Sequence, residues 1–424
     1  MYLDPCDEYR EKCAALAEEE KAKYYKPPER DTRQEEAHRG QGTTGADIGQ
    51  EEPGETNPFP SHIMTGAAGH FSAVLAQVME SPRHFFFMVY LACIGIVMAN
   101  KISLATELKP QPRLYLVLLG ESADDRKSTA ISKTVDFFIS ALTEFNVCFG
   151  VGSAEGLQKI LDKKKSLLLV YDELKAFVGK AKADGSILLP ATCTLFESNR
   201  FENHTKDKEL KIMDAYLSIV AASTIATYER CWDSSFQDIG MTNRLFIVPG
   251  TGKRKNAIPL RVPDESWQEM KVLLSKILQR VENIESLSIT NEAKALYENW
   301  YLSLEQSMHT KRLDTYALRF MILLAVNEGK DHVDGIIAQN VIDLMNWQLH
   351  ARRLHDPVDA DNTIAKIEEK IRRVLTANPV KETVLKRKVH YTRIGSWVYT
   401  QAIKNLTIAK EIIYEKNEKL WKMV

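Results

Sequence analysis

Leu114-Tyr-Leu-Val-Leu-Leu119 runs into Gly120-Glu-Ser-Ala-Asp-Asp-Arg126-Lys127-Ser128-Thr129, and Ala130-Ile-Ser-Lys-Thr-Val-Asp-Phe-Phe138 follows. The apolar run reads as a strand buried on both faces, the polar stretch as a turn, and the last segment as the start of a helix. That order suits a phosphate-binding loop. Backbone N–H groups and the helix N-terminus receive phosphates, a lysine neutralises charge, and a hydroxyl meets Mg²⁺. The spacing departs from the usual one. Seven positions separate Gly120 from Lys127, and Arg126 stands where a second glycine is expected. Ser128 and Thr129 are both open as the metal-facing hydroxyl. Taken alone, Lys127 reads equally well as a surface lysine in a polar turn.

A second signal decides between these. Leu167-Leu-Leu-Val-Tyr171 is another buried-strand run, and it ends in Asp172-Glu173, 45 residues after Lys127. An acidic pair at the end of such a strand is a Walker B arrangement. Asp172 is the candidate Mg²⁺ ligand, and Glu173 the base or water-orienting group for attack on a γ-phosphate. Between the two signals lie a short strand, Asn146–Gly152, and the helix beginning at Ala154, with Ser153 placed as its cap. Further strands are expected at Ala215–Thr224 and Arg244–Val248. The rhythm predicts an α/β fold of P-loop NTPase type, AAA+ or RecA-like, with a parallel sheet, helical subdomains and a C-terminal winged helix.

Four further positions invite a role. Arg244 opens a strand after a polar loop and suits an arginine finger reaching a neighbouring subunit, or a local pair with Asp238. Thr224 ends the strand after Asp172-Glu173 and could orient water, or serve only the local structure at the strand end. Arg319 could sense nucleotide from a helical lid, or simply lie on a solvated helix face. The polar segment Glu197–Lys208 offers Arg200, His204, Lys206 and Lys208 to DNA phosphates in a ring assembly, or is a plain exposed loop.

The 424 residues carry a net charge of −1 and 44% hydrophobic residues. The balance hides an asymmetry: residues 1–60 hold 15 acidic against 8 basic side chains, and residues 361–424 hold 14 basic against 7 acidic. A basic C-terminal block points to a polyanion such as nucleic acid. Six scattered cysteines without Cys-x-x-Cys spacing, and an opening unlike a signal peptide, fit a cytoplasmic setting and exclude a zinc ribbon. The histidines form no metal motif. Phe85–Ala99 is fifteen apolar residues, short of the ~20 a membrane span needs, so a core helix behind the sheet is expected.

The expected organisation follows. Residues 1–58 are a charged segment and disordered linker; 59–112 a helical subdomain; 113–262 the ATPase core; 263–358 an all-helical lid; and 359–424 a winged helix. In that last block, Ile394, Trp397, Val398, Ala402 and Leu406 are read as the inner side of a recognition helix. Tyr399 and Thr400 are read as exposed. Lys386, Arg387, Lys388, Arg393 and Lys404 are candidate phosphate contacts.

Four stretches also resemble a family of primase-associated P-loop ATPases of phages, plasmids and integrated elements. Gly120–Thr129 looks like that family's variant loop with Arg-Lys in place of Gly-Lys. Gly152-Ser-Ala-Glu-Gly-Leu157 and Asp172-Glu173 are similar to its next two motifs, and Met241-Thr-Asn-Arg-Leu-Phe-Ile-Val248 to its Asn-Arg segment. The likeness covers roughly residues 60–355. It implies an AAA+/superfamily-3-like ATPase using ATP and Mg²⁺, a homo-hexameric ring acting on single-stranded or forked DNA, a separate primase, and no membrane. A DNA-binding initiator or loader that uses ATP as a switch, and a mobile-element defence ATPase, remain alternatives.

Overall fold

A computed structural model describes residues 58–121, 125–204, 209–232, 236, 238–252, 254, 255, 258, 260–356 and 363–424. The N-terminal segment and linker read at 1–58 therefore lie outside the described residues, apart from Pro58.

Two helices open the folded chain, α1 (Gly66–Val78) and α2 (Arg83–Met98). α2 is the apolar stretch, and Phe85 through Ile96 are all buried. A helix apolar on every side needs cover on every side. α2 finds it against the central sheet, α1 and a later helix. Gly95 permits the approach of the loop before the sheet, since a Cβ there would lie 2.1 Å from the Pro112 carbonyl oxygen. Among the described residues, no helix is long and apolar enough to cross a membrane.

After a two-residue strand β1 (Ser103–Leu104) comes β2 (Tyr115–Gly120), buried along its whole length. The chain continues through α3 (Lys127–Ala141), β3 (Val147–Phe149), α4 (Ala154–Lys163) and β4 (Ser166–Tyr171). Ser153 caps α4 by accepting from the Gly156 N–H at 3.2 Å. Next are α5 (Leu174–Ala181), α6 (Leu188–Glu197), the antiparallel pair β5 (Phe201–His204) and β6 (Glu209–Ile212), β7 (Tyr216–Thr224), α7 (Ile225–Arg230) and β8 (Phe246–Pro249). Five strands form the central sheet in the order β3-β4-β7-β2-β8, each pair parallel. The fold is thus α/β around a parallel sheet.

The segment read as all-helical contains α8 (Asp264–Val281), α9 (Asn291–Ser303), α10 (Leu313–Asn327) and α11 (Gly335–His355), but also two short strands. β9 (Ser286–Ile289) pairs in parallel with β1 on one side and with β10 (His332–Val333) on the other. Runs of two to four residues carry too little periodicity to be seen in sequence. This small sheet ties the expected lid back to the segment before β2. One hydrophobic core accordingly runs from Phe59 to Ala351, merging the three blocks expected between 59 and 358.

A second core lies within 364–423. It is built by α12 (Thr363–Ala377), β11 (Val380–Lys381), α13 (Glu382–Lys388), α14 (Tyr391–Ile394), α15 (Ser396–Ile408), β12 (Ile412–Glu415) and β13 (Leu420–Met423). The strands are antiparallel in the order β11-β13-β12. The inner face of α15 differs from the expected one. Tyr399, Ala402 and Leu406 are buried, whereas Trp397 is 69% exposed.

Candidate functional site

β2 and β7 are neighbours, but the connection leaving β2 runs to β3 on one side of the sheet and that leaving β7 runs to β8 on the other. Their C-terminal ends flank a topological switch point, where open α/β sheets bind ligands. Gly120 and Thr224 face each other there in register. Gly120 has to lack a side chain, because a Cβ would lie 2.3 Å from Asp125 Oδ2. Asp125 is 1% exposed and accepts from the backbone N–H groups of Glu121 and Gly252, which ties the loop to the segment after β8. Sequence reasoning passed over Asp125. Nothing in its polar neighbourhood marks a buried carboxylate.

Arg126 occupies the left-handed region, φ 47° and ψ 36°, and leads into α3. This is the conformation a glycine supplies without penalty, so the chain keeps the turn while lacking the residue. The carbonyl of Arg126 accepts from Ser81 Oγ at 2.9 Å, and its Nε lies 3.3 Å from Glu80 Oε2. No side-chain cap from Arg126 covers the α3 N-terminus, whose first N–H groups have no intrahelical partner.

Lys127 is the first residue of α3 and 9% exposed. Its Nζ donates to the carbonyls of Gly120 at 3.1 Å and Glu121 at 2.7 Å. Burial pushes its pKa down, while Asp125, Glu173 and Glu121 pull the other way. The lysine and Glu173 are therefore in electrostatic reach of each other. Ser128 is exposed and Thr129 half-buried.

Asp172 and Glu173 leave the C-terminal end of β4, both exposed, with β7 alone between their strand and β2. Strand spacing puts β4 and β2 about 9–10 Å apart. Ser223, fully buried on β7, donates to Glu173 Oε1 at 3.1 Å. Thr224, the residue singled out from sequence, is engaged otherwise. Its Oγ1 caps α7 by accepting from the Thr227 N–H at 3.1 Å and donates to Thr227 Oγ1 at 2.9 Å. Ser223 is the hydroxyl that reaches the glutamate. One residue of strand register separates the two, too fine a distinction for a sequence pattern.

Among the described residues, no cluster of three or more His, Cys, Asp or Glu could hold a metal on its own. One hydroxyl from α3 and Asp172 do fit the way Mg²⁺ is held in nucleotide sites, by one or two protein oxygens together with substrate phosphates and water.

Two arginines stand away from this edge. Arg244 lies in a single 3₁₀ turn before β8, and its Nη1 donates to the carbonyls of Ile239 at 2.8 Å and Gly240 at 2.9 Å. Register places it level with Leu114, six residues below Gly120, or about 20 Å along the strands. It does not reach Lys127 of its own chain. Arg319 is 3% exposed and donates to the Arg113 and Phe196 carbonyls at 3.1 and 2.6 Å, with its guanidinium 3.9 Å over the Phe196 ring. It is a buried packing residue at the lower edge of the sheet, which removes it from nucleotide sensing in its own chain.

Arg200 and His204 are exposed beside and on the β5–β6 pair, and His204 has Glu202 and Glu209 within 3.5 and 3.7 Å. Lys206 and Lys208 lie outside the described residues, as does the side chain of Arg393. In the C-terminal domain Arg387, Lys388 and Lys404 are exposed. Lys386 pairs with Glu382 at 3.0 Å and sits 5.0 Å from the Tyr391 ring centroid. Tyr399, expected on the exposed face, is 4% exposed, and its hydroxyl donates to Glu382 at 3.2 Å. An aromatic ring at that helical position fills the core, and burial raises its pKa.

No family model matches the chain, and no curated protein matches it either.

Proposed function

We propose that the protein is a P-loop ATPase of AAA+ type that couples Mg²⁺-ATP hydrolysis to movement on DNA, with a C-terminal winged helix. The observation that carries the reading is one edge of one sheet. Lys127 at a helix N-terminus and Asp172-Glu173 leave strands separated by β7, and β7 supplies Ser223 to Glu173. In this reading the α3 N–H groups and Lys127 hold the phosphates. Ser128 or Thr129 and Asp172 face Mg²⁺, which when bound supplies charge neutralisation on the phosphates. Glu173, oriented by Ser223, takes the proton of the attacking water or aligns that water.

Arg244 serves a neighbouring subunit in a homo-hexameric ring. The exposed Arg200 and His204 of the β5–β6 region and the cations of the C-terminal domain meet single-stranded or forked DNA. Helix, strand, two helices, a longer helix and a two-stranded wing is the element order that supports the winged-helix assignment. A replicative helicase of a mobile element, primed by a separate protein, is the biological setting this favours.

One observation supports a second reading. Arg244 is already bonded to two carbonyls of its own loop, which suits an ATP-switched initiator or loader with slow hydrolysis. ATPase assays with and without single-stranded DNA, on wild type and Glu173→Gln, separate the two. The motor reading expects DNA-stimulated turnover, opening of a forked duplex, and a loss of about 10²–10⁴ in turnover in the variant with ATP binding kept. ATP binding without DNA stimulation or unwinding selects the switch. Absence of ATP binding ends both.

A further inference from the structure

Trp397 lies at the second position of α15, 69% exposed, with no ring or hydrogen-bond partner among the described residues. Trp300 and Trp347 are buried, and Trp232, Trp267 and Trp421 are half-buried. A single exposed apolar side chain is ordinary on a protein surface, so this ring matters only together with the cations of its own helix face and domain. Its helix shows why it is available. Tyr399, Ala402 and Leu406 take the inner face, so positions 397, 400, 401 and 404 share the outer one. That face reads Trp, Thr, Gln, Lys: an unobstructed ring with an ammonium about 10 Å along the axis.

The domain that carries it has a basic excess, fourteen Lys and Arg against six Asp and Glu over residues 363–424, although Glu418 is exposed and Glu368 bonds Asn405 rather than a base. Glu369, Glu382, Glu411 and Glu415 are each taken up by a basic side chain of the same domain. Arg387, Lys388, Lys404, Lys410, Lys416 and Lys419 are exposed without an acidic partner among the described residues. A polyanion is the complementary partner.

We propose that this outer face of α15 binds an unpaired stretch of nucleic acid, with Trp397 stacking on a base and Lys404 meeting the backbone. It rests on the DNA-binding part of the function proposed above and not on the nucleotide site. The ring decides between single strand and duplex. In a duplex both faces of each base are covered by neighbours, and an indole has a single N–H donor with which to read base edges. In a single strand every base offers a π-face, and stacking tolerates any sequence. The neutral Thr400 and Gln401 between ring and ammonium leave room for the sugar.

Binding of the full chain to labelled oligothymidylate and to a duplex of equal length, by fluorescence anisotropy at fixed salt, tests this. Trp397→Ala is expected to weaken oligothymidylate binding by roughly 5- to 150-fold and to leave duplex binding unchanged. Trp397→Phe keeps most of the affinity but loses most of the tryptophan quenching seen with wild type. Lys404→Ala weakens both ligands alike and lowers the salt slope by about one. If Trp397→Ala leaves oligothymidylate binding unchanged, or weakens both ligands equally, the stacking face is refuted while DNA binding stands. If wild type binds neither ligand, the DNA-binding part of the proposed function falls with it.

Discussion

Removing the carboxylate of Asp125 should loosen the loop that the rest of the site depends on. Asp125 accepts from the N–H groups of Glu121 and Gly252, and so holds the end of β2 to the chain leaving β8. In Asp125→Ala both donors lose their acceptor. A donor left unpaired inside a protein costs about 1–3 kcal/mol. Glu121 is exposed and its N–H can regain water, which leaves the half-buried Gly252 donor, so the expected loss is about 1–3 kcal/mol. Gly120→Ala attacks the same contact from the other side, by placing a methyl group against Asp125 Oδ2, and overpacking of that kind costs about 1–3 kcal/mol. Since Asp125→Ala removes the nearest clashing atom, the double variant should be less destabilised than the two singles together, by about 1 kcal/mol. Urea unfolding followed by circular dichroism, with the m-value checked for constancy, measures all three. The reasoning is refuted if Asp125→Ala unfolds at the wild-type midpoint, or if the two substitutions are additive.

Other consequences concern neighbours of that contact. Lys127→Met should abolish the thermal stabilisation given by Mg²⁺-ATP. In the nucleotide-free wild type the lysine pKa is lowered on folding, so between the folded value and about 10.5 the unfolded chain binds more protons and stability rises with pH. Urea midpoints across that window should show the rise in wild type and its loss in Lys127→Met. Arg126→Gly relieves a left-handed φ and should raise stability by up to about 1 kcal/mol, since the exposed contact to Glu80 offsets only a few tenths; a clear fall in the urea midpoint would show that the turn is not strained. Arg319→Met should cost about 2–4 kcal/mol by stranding two buried carbonyls, with ATP affinity by equilibrium titration unchanged. The reverse pattern would restore Arg319 as a nucleotide sensor.

Strand composition and order along the chain were legible from residues alone. The runs 114–119 and 167–171 are apolar without alternation because both faces of a parallel strand are covered, and their polar terminators fall where the strands end. Lys127 and Asp172-Glu173 stand out in the sequence by residue type rather than by spacing, and the sheet order leaves one strand between the strands that lead to them. The C-terminal helices were legible as elements, but their facing was not. Trp397 and Tyr399 are two residues apart, and hydrophobicity alone assigns either to the core.

What only the tertiary structure decided is whatever depends on neighbours distant in sequence. It set β7 between β2 and β4, which put Ser223 rather than Thr224 on Glu173. It buried Asp125 beneath Gly120 and Arg319 beneath the sheet, because a carboxylate between two N–H donors and a guanidinium between two carbonyls and a ring are stable only where distant segments bring those partners. It also gave the expected second glycine's conformation to Arg126. The αL turn is imposed by the strand end on one side and α3 on the other, and a side chain that can reach solvent and Glu80 tolerates it. Local sequence thus determined which segments form the strands and helices, and long-range packing determined which of their side chains meet.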